Sequence, residues 1–407
     1  MISPMTLLLT VLALAAPEKA APQFIDVVQA NFAAWDLDRS GDLSISEIDR
    51  LVVAPQLKGD QAAAIAAMKT VRRIGYPAGP YTLANFDAAV KLQQKYARHA
   101  ADDPADEKGS AFFNGAGIDW QKVFIACRDR IENPERALFR KDRLSLEQIR
   151  QGALGDCYFV AMIGNLVYHQ PDKVRKMITV QKNGDLRVAF ADSETIVMPA
   201  LTDAEIGVSS SRGEEGNWMA AFEKGFGLLR QAQYPEKYKD GVASDTIGRG
   251  GQLYVTIRIL TGHESETYLL RTNIERRGDS AVAQLAANPN DLARMVREKI
   301  KQPISRKKLI GAGTIPMEDL PPGIPSRHAY AVLGYDPAKD IVTVWNPHRN
   351  SFKPAGAPGL KNGYPTELGV FKVPMVEFVQ IFDMLEIELD ISAVTEGQRS
   401  GKTSGGK

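Results

Sequence analysis

The apolar positions along the chain change period several times. Phe24, Val27, Val28 and Phe32 recur at helical spacing, which predicts an amphipathic helix over residues 24–35. Residues 45–53 and 83–90 read as further helical pieces. The run Tyr158 to Ile163, continued by Leu166 and Val167, is apolar on every side. Behind a Gly-containing loop it predicts a turn and then a buried helix. Residues 218–230 predict another helix, with Trp218 and Phe222 in its core face. Strand-like alternation takes over in residues 186–190, 195–198 and 326–335. A turn at 336–340 leads to a second strand at 341–345. From Gly248 onward, short strands and Gly/Pro turns are expected, interrupted by a helix around 291–301. The pattern is that of an α+β chain with a helical first part and a β-rich second part.

The ends differ from this body. Residues 5–16 are an apolar block too short to span a bilayer comfortably, and small residues follow it. Residues 1–22 are therefore expected to be a secretory signal, placing the chain outside the cytoplasm; a cytoplasmic location is the alternative. Residues 100–109 are acidic and contain Pro, which suggests a linker, and residues 393–407 are expected to be a disordered tail. The 407 residues are 44% hydrophobic and carry a net charge of +1, which gives no case for a nucleic-acid partner or stable membrane insertion. Two cysteines exclude a disulfide scaffold, and Cys127 and Cys157 are both expected to be reduced. Nothing in the sequence fixes an oligomeric state.

The candidate chemistry centres on Gln151-Gly152-Ala153-Leu154-Gly155-Asp156-Cys157-Tyr158-Phe159. It delivers Cys157 to the first turn of the buried helix, where free N–H groups favour a thiolate, the form that attacks carbonyl carbon. Gln151 can set an amide donor beside the Cys157 N–H, and the two together can hold an oxyanion. A thiolate needs a base, and there are only five histidines. His328 opens the strand at 326–335 and Asn346 ends the next, so a hairpin can bring Asn346 to orient His328. His263 is expected on a surface loop and His169 at a helix end.

These residues resemble the calpain-type cysteine proteases of the papain-like superfamily. The nine-residue stretch at Cys157 is the specific part, and His328-Ala329-Tyr330 and Asn346-Pro347 follow in the family's order. Phe112 to Gly115, residues 217–226 and 371–387 add support, so the resemblance covers roughly residues 110–390. It implies a papain-like two-lobed core, with a helical lobe at 110–247 and a β-rich lobe at 248–392. It also implies protein or peptide substrates, Cys157 as nucleophile, His328 as base, Asn346 as orienter and Gln151 in the oxyanion hole.

Ahead of that core, Asp36-Leu37-Asp38-Arg39-Ser40-Gly41-Asp42-Leu43-Ser44-Ile45-Ser46-Glu47 has the ligand pattern of an EF-hand calcium loop. Asp36, Asp38 and Ser40 offer side-chain oxygens and Asp42 its carbonyl. Ser44 acts through water, and Glu47 binds with two oxygens. Residues 23–99 are expected to be a small all-α EF-hand pair, with one loop binding Ca2+ and a second, at 75–80, lacking carboxylates. The core itself is expected to bind no calcium. Two departures shape the rest. His348 stands where the family has a Trp covering the His–Asn pair, and Trp345 offers itself as a substitute. A calcium-binding protein with a non-catalytic protease-like domain is therefore a second reading. Acyl transfer to an amine is a third, with Asn346 standing against it.

Overall fold

The computed structural model describes residues 22–73, 80–100, 113–114, 117–132, 137–140, 144–152, 154–191, 195–209, 216–238, 241–248, 250–270, 282–284, 288–315 and 320–392. Apart from Pro22 and Ala100, the expected signal segment, linker and tail lie outside these residues, as does the second loop up to residue 79.

Four helices come first: α1 (Phe24–Trp35), α2 (Ile45–Val52), α3 (Gly59–Arg73) and α4 (Leu83–Ala100). Ser44 starts α2 with a capping box, accepting from the Glu47 N–H while Glu47 accepts from the Ser44 N–H. The loop before α2 meets the stretch before α4 where Leu43 N–H donates to Tyr81 O, 3.1 Å away. A short hairpin, β1 (Phe113–Asn114) and β2 (Gly117–Ile118), leads into α5 (Trp120–Ile131). The first four helices do not close a core alone. Phe24, Trp35, Met68 and Phe86 share one apolar cluster with Trp120, Phe124 and Ile131 of α5 and with Ala204 and Val208.

The next stretch holds α6 (Cys157–His169), α7 (Pro171–Met177), β3 (Ile178–Val180), β4 (Leu186–Ala189) and β5 (Thr195–Met198). It continues through α8 (Asp203–Gly207), α9 (Trp218–Gln233), α10 (Pro235–Tyr238) and α11 (Leu253–Thr261). The last part contains β6 (His263–Leu269), β7 (Val282–Gln284), α12 (Pro289–Ser305), β8 (Ile310–Thr314), β9 (His328–Asp336) and β10 (Ile341–Trp345). It ends with β11 (Thr366–Glu367), β12 (Val370–Pro374), α13 (Met375–Ile381) and β13 (Met384–Ser392). The described residues thus form the expected α+β arrangement. The eight strands of the large sheet run β11-β12-β10-β9-β8-β13-β6-β7, antiparallel except for β6 with β7.

Strand alternation gives this sheet two apolar faces. Ala329, Ala331, Leu333 and Trp345 join the core around α6, α9 and α11. Tyr330, Val332, Val342 and Val344 face α12 and α13. The helix–sheet contact around α6 is close. A Cβ on Gly164 would lie 2.2 Å from Trp345 Cζ3, so a larger residue there would push the helix off the sheet. Asn165, fully buried, donates to Ile310 O at 2.8 Å and Val332 O at 3.1 Å and pins α6 against β8 and β9. A register slip between Thr343 and Val344 accompanies it.

Two local expectations fail. Residues 253–261 form a helix although Val255, Thr256, Ile257 and Ile259 are β-branched. Burial of Leu253, Ile257 and Leu260 in the α6 core overrides propensity, and Gly262 ends the helix with φ 74. His263 is the first residue of β6 rather than a loop residue. Its Nδ1 is 2.6 Å from Glu388 Oε1, with Lys308 on the same carboxylate at 3.1 Å.

Candidate active site

Cys157 is the first residue of α6, with Asp156 at the N-cap. The Phe159 and Val160 N–H groups bond back to Asp156 O at 2.8 and 3.0 Å, which closes the first turn. The packing of α6 on β9 carries Cys157 to the start of that strand, with the Ala329 N–H near its thiol. The neighbouring residue is His328. A thiolate was expected from the helix start, but burial pushes the Cys157 thiol up, against the pull of the Ala329 N–H. Both cysteines are free, and Cys127 is buried on α5.

His328 is buried and its Nε2 lies 2.8 Å from Asn346 Oδ1. Asn346 Oδ1 also takes the His348 N–H at 3.0 Å, and Asn346 Nδ2 donates to Asn350 Oδ1 at 2.9 Å. Those two bonds fix which end of the Asn346 amide is oxygen. An oxygen acceptor requires Nε2 to carry the hydrogen, so Nδ1 is left with its lone pair. Burial, followed by the nearby His348, pushes the His328 pKa down to about 3, although the Asn346 bond pulls the other way. The imidazole therefore rests as a neutral base. His348 lies parallel to His328, with ring centroids 4.3 Å apart and planes 10° apart. Trp345 is elsewhere: buried against Gly164, it donates from Nε1 to Leu368 O at 3.2 Å.

Gln151 is buried, and its N–H donates to Pro347 O at 2.8 Å, so the nucleophile loop is tied to the residue after Asn346. Gln151 Nε2 gives one hydrogen to Leu154 O at 2.7 Å. Since the amide has two, one is left for another acceptor. Gln151, Cys157, His328 and Asn346 are thus brought to one place. Sequence reading missed Asn350, which holds Asn346. It also missed Thr314, whose Oγ1 receives the His328 N–H at 3.1 Å. Neither sits in a motif; their proximity is set by the sheet.

The second candidate site is the loop before α2. Ligand oxygens of Asp36, Asp38 and Glu47 lie within 4.8 Å of one another. Its backbone N–H groups fold around these carboxylates: Ser40 and Gly41 donate to Asp36 at 2.9 and 2.8 Å, and Leu37 donates to Glu47 at 2.7 Å. Ser40 Oγ turns to Asp42 O at 2.9 Å, while Ser44 Oγ is engaged with Glu47 Oε2 at 2.7 Å. Asp36, Asp38 and Glu47 are therefore gathered as a cation would need. The Ser44 hydroxyl serves the helix cap.

A chain of charges runs from this loop toward the nucleophile. Asp49 of α2 and Asp245, on the 3-10 turn Ala243–Thr246, both pair with Lys69 of α3. Arg73 adds a bond to Asp245 at 2.6 Å and to Ser244 Oγ at 2.7 Å. Burial holds Asp49 above the usual carboxylate range. At Asp245 burial is outweighed by Arg73 and Lys69, which hold it below that range. Three residues further on, Gly248 lies against Gly155: a Cβ on Gly155 would be 2.5 Å from Gly248 O.

A nucleophile-bearing helix set against a sheet that carries His and Asn defines a cysteine-protease-like centre. A family model described as calpain family cysteine protease matches residues 110–355, more than half of the chain, and the protein belongs to that family. No curated protein matches the chain in sequence.

Proposed function

We propose that the chain is a cysteine endopeptidase in which Cys157, His328, Asn346 and Gln151 act together. The observation that carries this reading is the fixed tautomer of His328. With Nε2–H spent on Asn346, Nδ1 is a neutral base on the residue adjoining the Cys157 thiol contact. Because thiol and imidazole both rest neutral, the proton moves from Sγ to Nδ1 as the substrate carbonyl arrives. Sγ then bonds to the carbonyl carbon, and the carbonyl oxygen takes the negative charge between the Cys157 N–H and the second Nε2 hydrogen of Gln151. His328 returns the proton to the departing amine, leaving a thioester. Water, deprotonated by the same Nδ1, hydrolyses it and regenerates the thiol.

The loop at Asp36–Glu47 is proposed to bind Ca2+ through Asp36, Asp38, Ser40, the Asp42 carbonyl and Glu47, with Ser44 reached through water. Bound there, calcium would neutralise the gathered carboxylates and stiffen the start of α2. Residues 1–22 are proposed to direct the chain out of the cytoplasm. In that setting a weak EF-hand is filled constantly and acts as a structural part.

The deciding experiment is hydrolysis of unfolded casein by wild type and by Cys157→Ala, each with millimolar calcium and with chelator. Cleavage that disappears in the variant supports the endopeptidase. Equal cleavage by both sinks it. No cleavage together with a Cys157 inert to alkylation favours the non-catalytic calcium-binding reading.

A further inference from the structure

Behind the nucleophile lie three buried acceptors with no hydrogen-bond donor among the described residues: Gln151 Oε1 and both carboxyl oxygens of Asp156. Asp156 is 0% exposed, and Gln151 is within hydrogen-bonding reach of its carboxyl. Although Asp156 holds the N-cap of α6, its side chain caps nothing, and the Phe159 and Val160 N–H groups go to its backbone carbonyl instead. A carboxylate in such a place would leave two charged oxygens without donors, beside a third acceptor it repels. One proton on Asp156 turns this clash into a hydrogen bond.

The surroundings agree. Glu223 of α9, itself 2% exposed, faces Asp156, and burial and then Glu223 raise the Asp156 pKa well above its ordinary value. The Asp156 N–H, Arg73 of α3 and the Gln151 side chain act in the opposite sense, but neither carboxyl oxygen has a bonded donor among the described residues, and the Arg73 guanidinium is bonded to Asp245, Ser244 and Val208 O. On α6, the adjoining Cys157 and Tyr158 are also disfavoured as anions by a charge on Asp156.

We propose that Asp156 is a positioning residue, kept as the neutral acid, which donates its proton to Gln151 Oε1 and so locks the Gln151 amide with Nε2 toward the reacting carbonyl. This rests on the endopeptidase reading. The donated bond draws electron density from the Gln151 amide and makes its N–H a stronger oxyanion donor. It also keeps a negative charge away from Cys157.

The test compares full-length wild type, Asp156→Ala and Asp156→Asn. Asp156→Ala frees the Gln151 amide, so kcat is expected to fall about 10²-fold, the scale of one lost oxyanion donor, with KM little changed. Asparagine keeps a neutral donor, so Asp156→Asn is expected to recover most of that loss. Asp156→Asn as impaired as Asp156→Ala would mean that the ionised carboxylate matters, and unchanged kcat in Asp156→Ala would mean that nothing is positioned; either overturns the proposal.

A second measurement does not need activity. A carboxyl whose folded pKa lies above its unfolded value costs stability as pH rises from about 4 toward the folded pKa. The Tm of Asp156→Asn minus that of wild type is therefore expected to grow between pH 4 and pH 7. A constant or shrinking difference overturns the neutral acid. If wild type cleaves nothing, the endopeptidase reading falls by itself, and the Tm comparison still decides the state of Asp156.

Discussion

The ring of His348 lies flat on the ring of His328, 4.3 Å between centroids, and shields one face of the imidazole that Asn346 holds. At the position where the resemblance places a Trp, a smaller ring thus covers the imidazole. An aromatic pair of this kind is worth about 1 kcal/mol beyond its buried area. His348→Ala should therefore lower kcat/KM roughly fivefold, and His348→Trp should restore it. Initial rates on a fluorogenic peptide give the comparison, and an unaffected His348→Ala would show that the stack has no role.

Asn346→Ala removes the acceptor that sets the His328 tautomer. Loss of orientation at the base is expected to cost about 10²-fold in kcat, with a folded-state Tm close to wild type if Asn350 and the His348 N–H rehydrate. Steady-state kinetics alongside thermal unfolding separates the two effects.

The pH dependence follows from the two neutral partners. His328, with a pKa of about 3, remains a base throughout the usual working range, so no fall in kcat/KM from its protonation is expected between pH 8 and pH 5. Burial raises the Cys157 thiol, so alkylation of free enzyme by iodoacetamide should accelerate only toward alkaline pH. Rapid labelling at pH 5 would instead mean a preformed thiolate–imidazolium pair.

Calcium should raise Tm through Asp36, Asp38 and Glu47. At a calcium concentration one hundred times Kd, the gain is about 2.7 kcal/mol. Glu47→Gln should reduce it sharply, by removing the charge of the ligand that also caps α2. Thermal unfolding with calcium and with chelator measures it; an equal shift in wild type and Glu47→Gln would move the site elsewhere.

Lys69→Met leaves Asp49 and Asp245 facing each other, half-buried, without their shared cation. Breaking a buried pair in this way costs about 3 kcal/mol. Chemical denaturation of wild type and variant measures the loss.

How much of this was legible depended on the range of the interaction. The helix at 157–169, the hairpin of β9 and β10 and the loop at Asp36–Glu47 are written in local spacing and turn residues, and so were Cys157, His328 and Asn346. Residues 253–261 were not, because their helix is imposed by packing against α6. Asn350 and Thr314 were equally silent: each matters only for a partner that the sheet brings beside it. The ionisation of the nucleophile was equally hard to read: the sequence displays the helix start that favours a thiolate and hides the burial that opposes it.

The apolar cluster that α5 shares with α1, α3 and α4 has a practical bearing on protein production. A recombinant fragment begun at residue 110, where the family match starts, would carry Trp120, Val123, Phe124 and Ile131 as an uncovered greasy stripe. Such a fragment should aggregate on expression, whereas a clone starting near residue 22 keeps that stripe sealed. For the same reason, cutting between residues 100 and 110 would nick the chain without releasing its N-terminal portion.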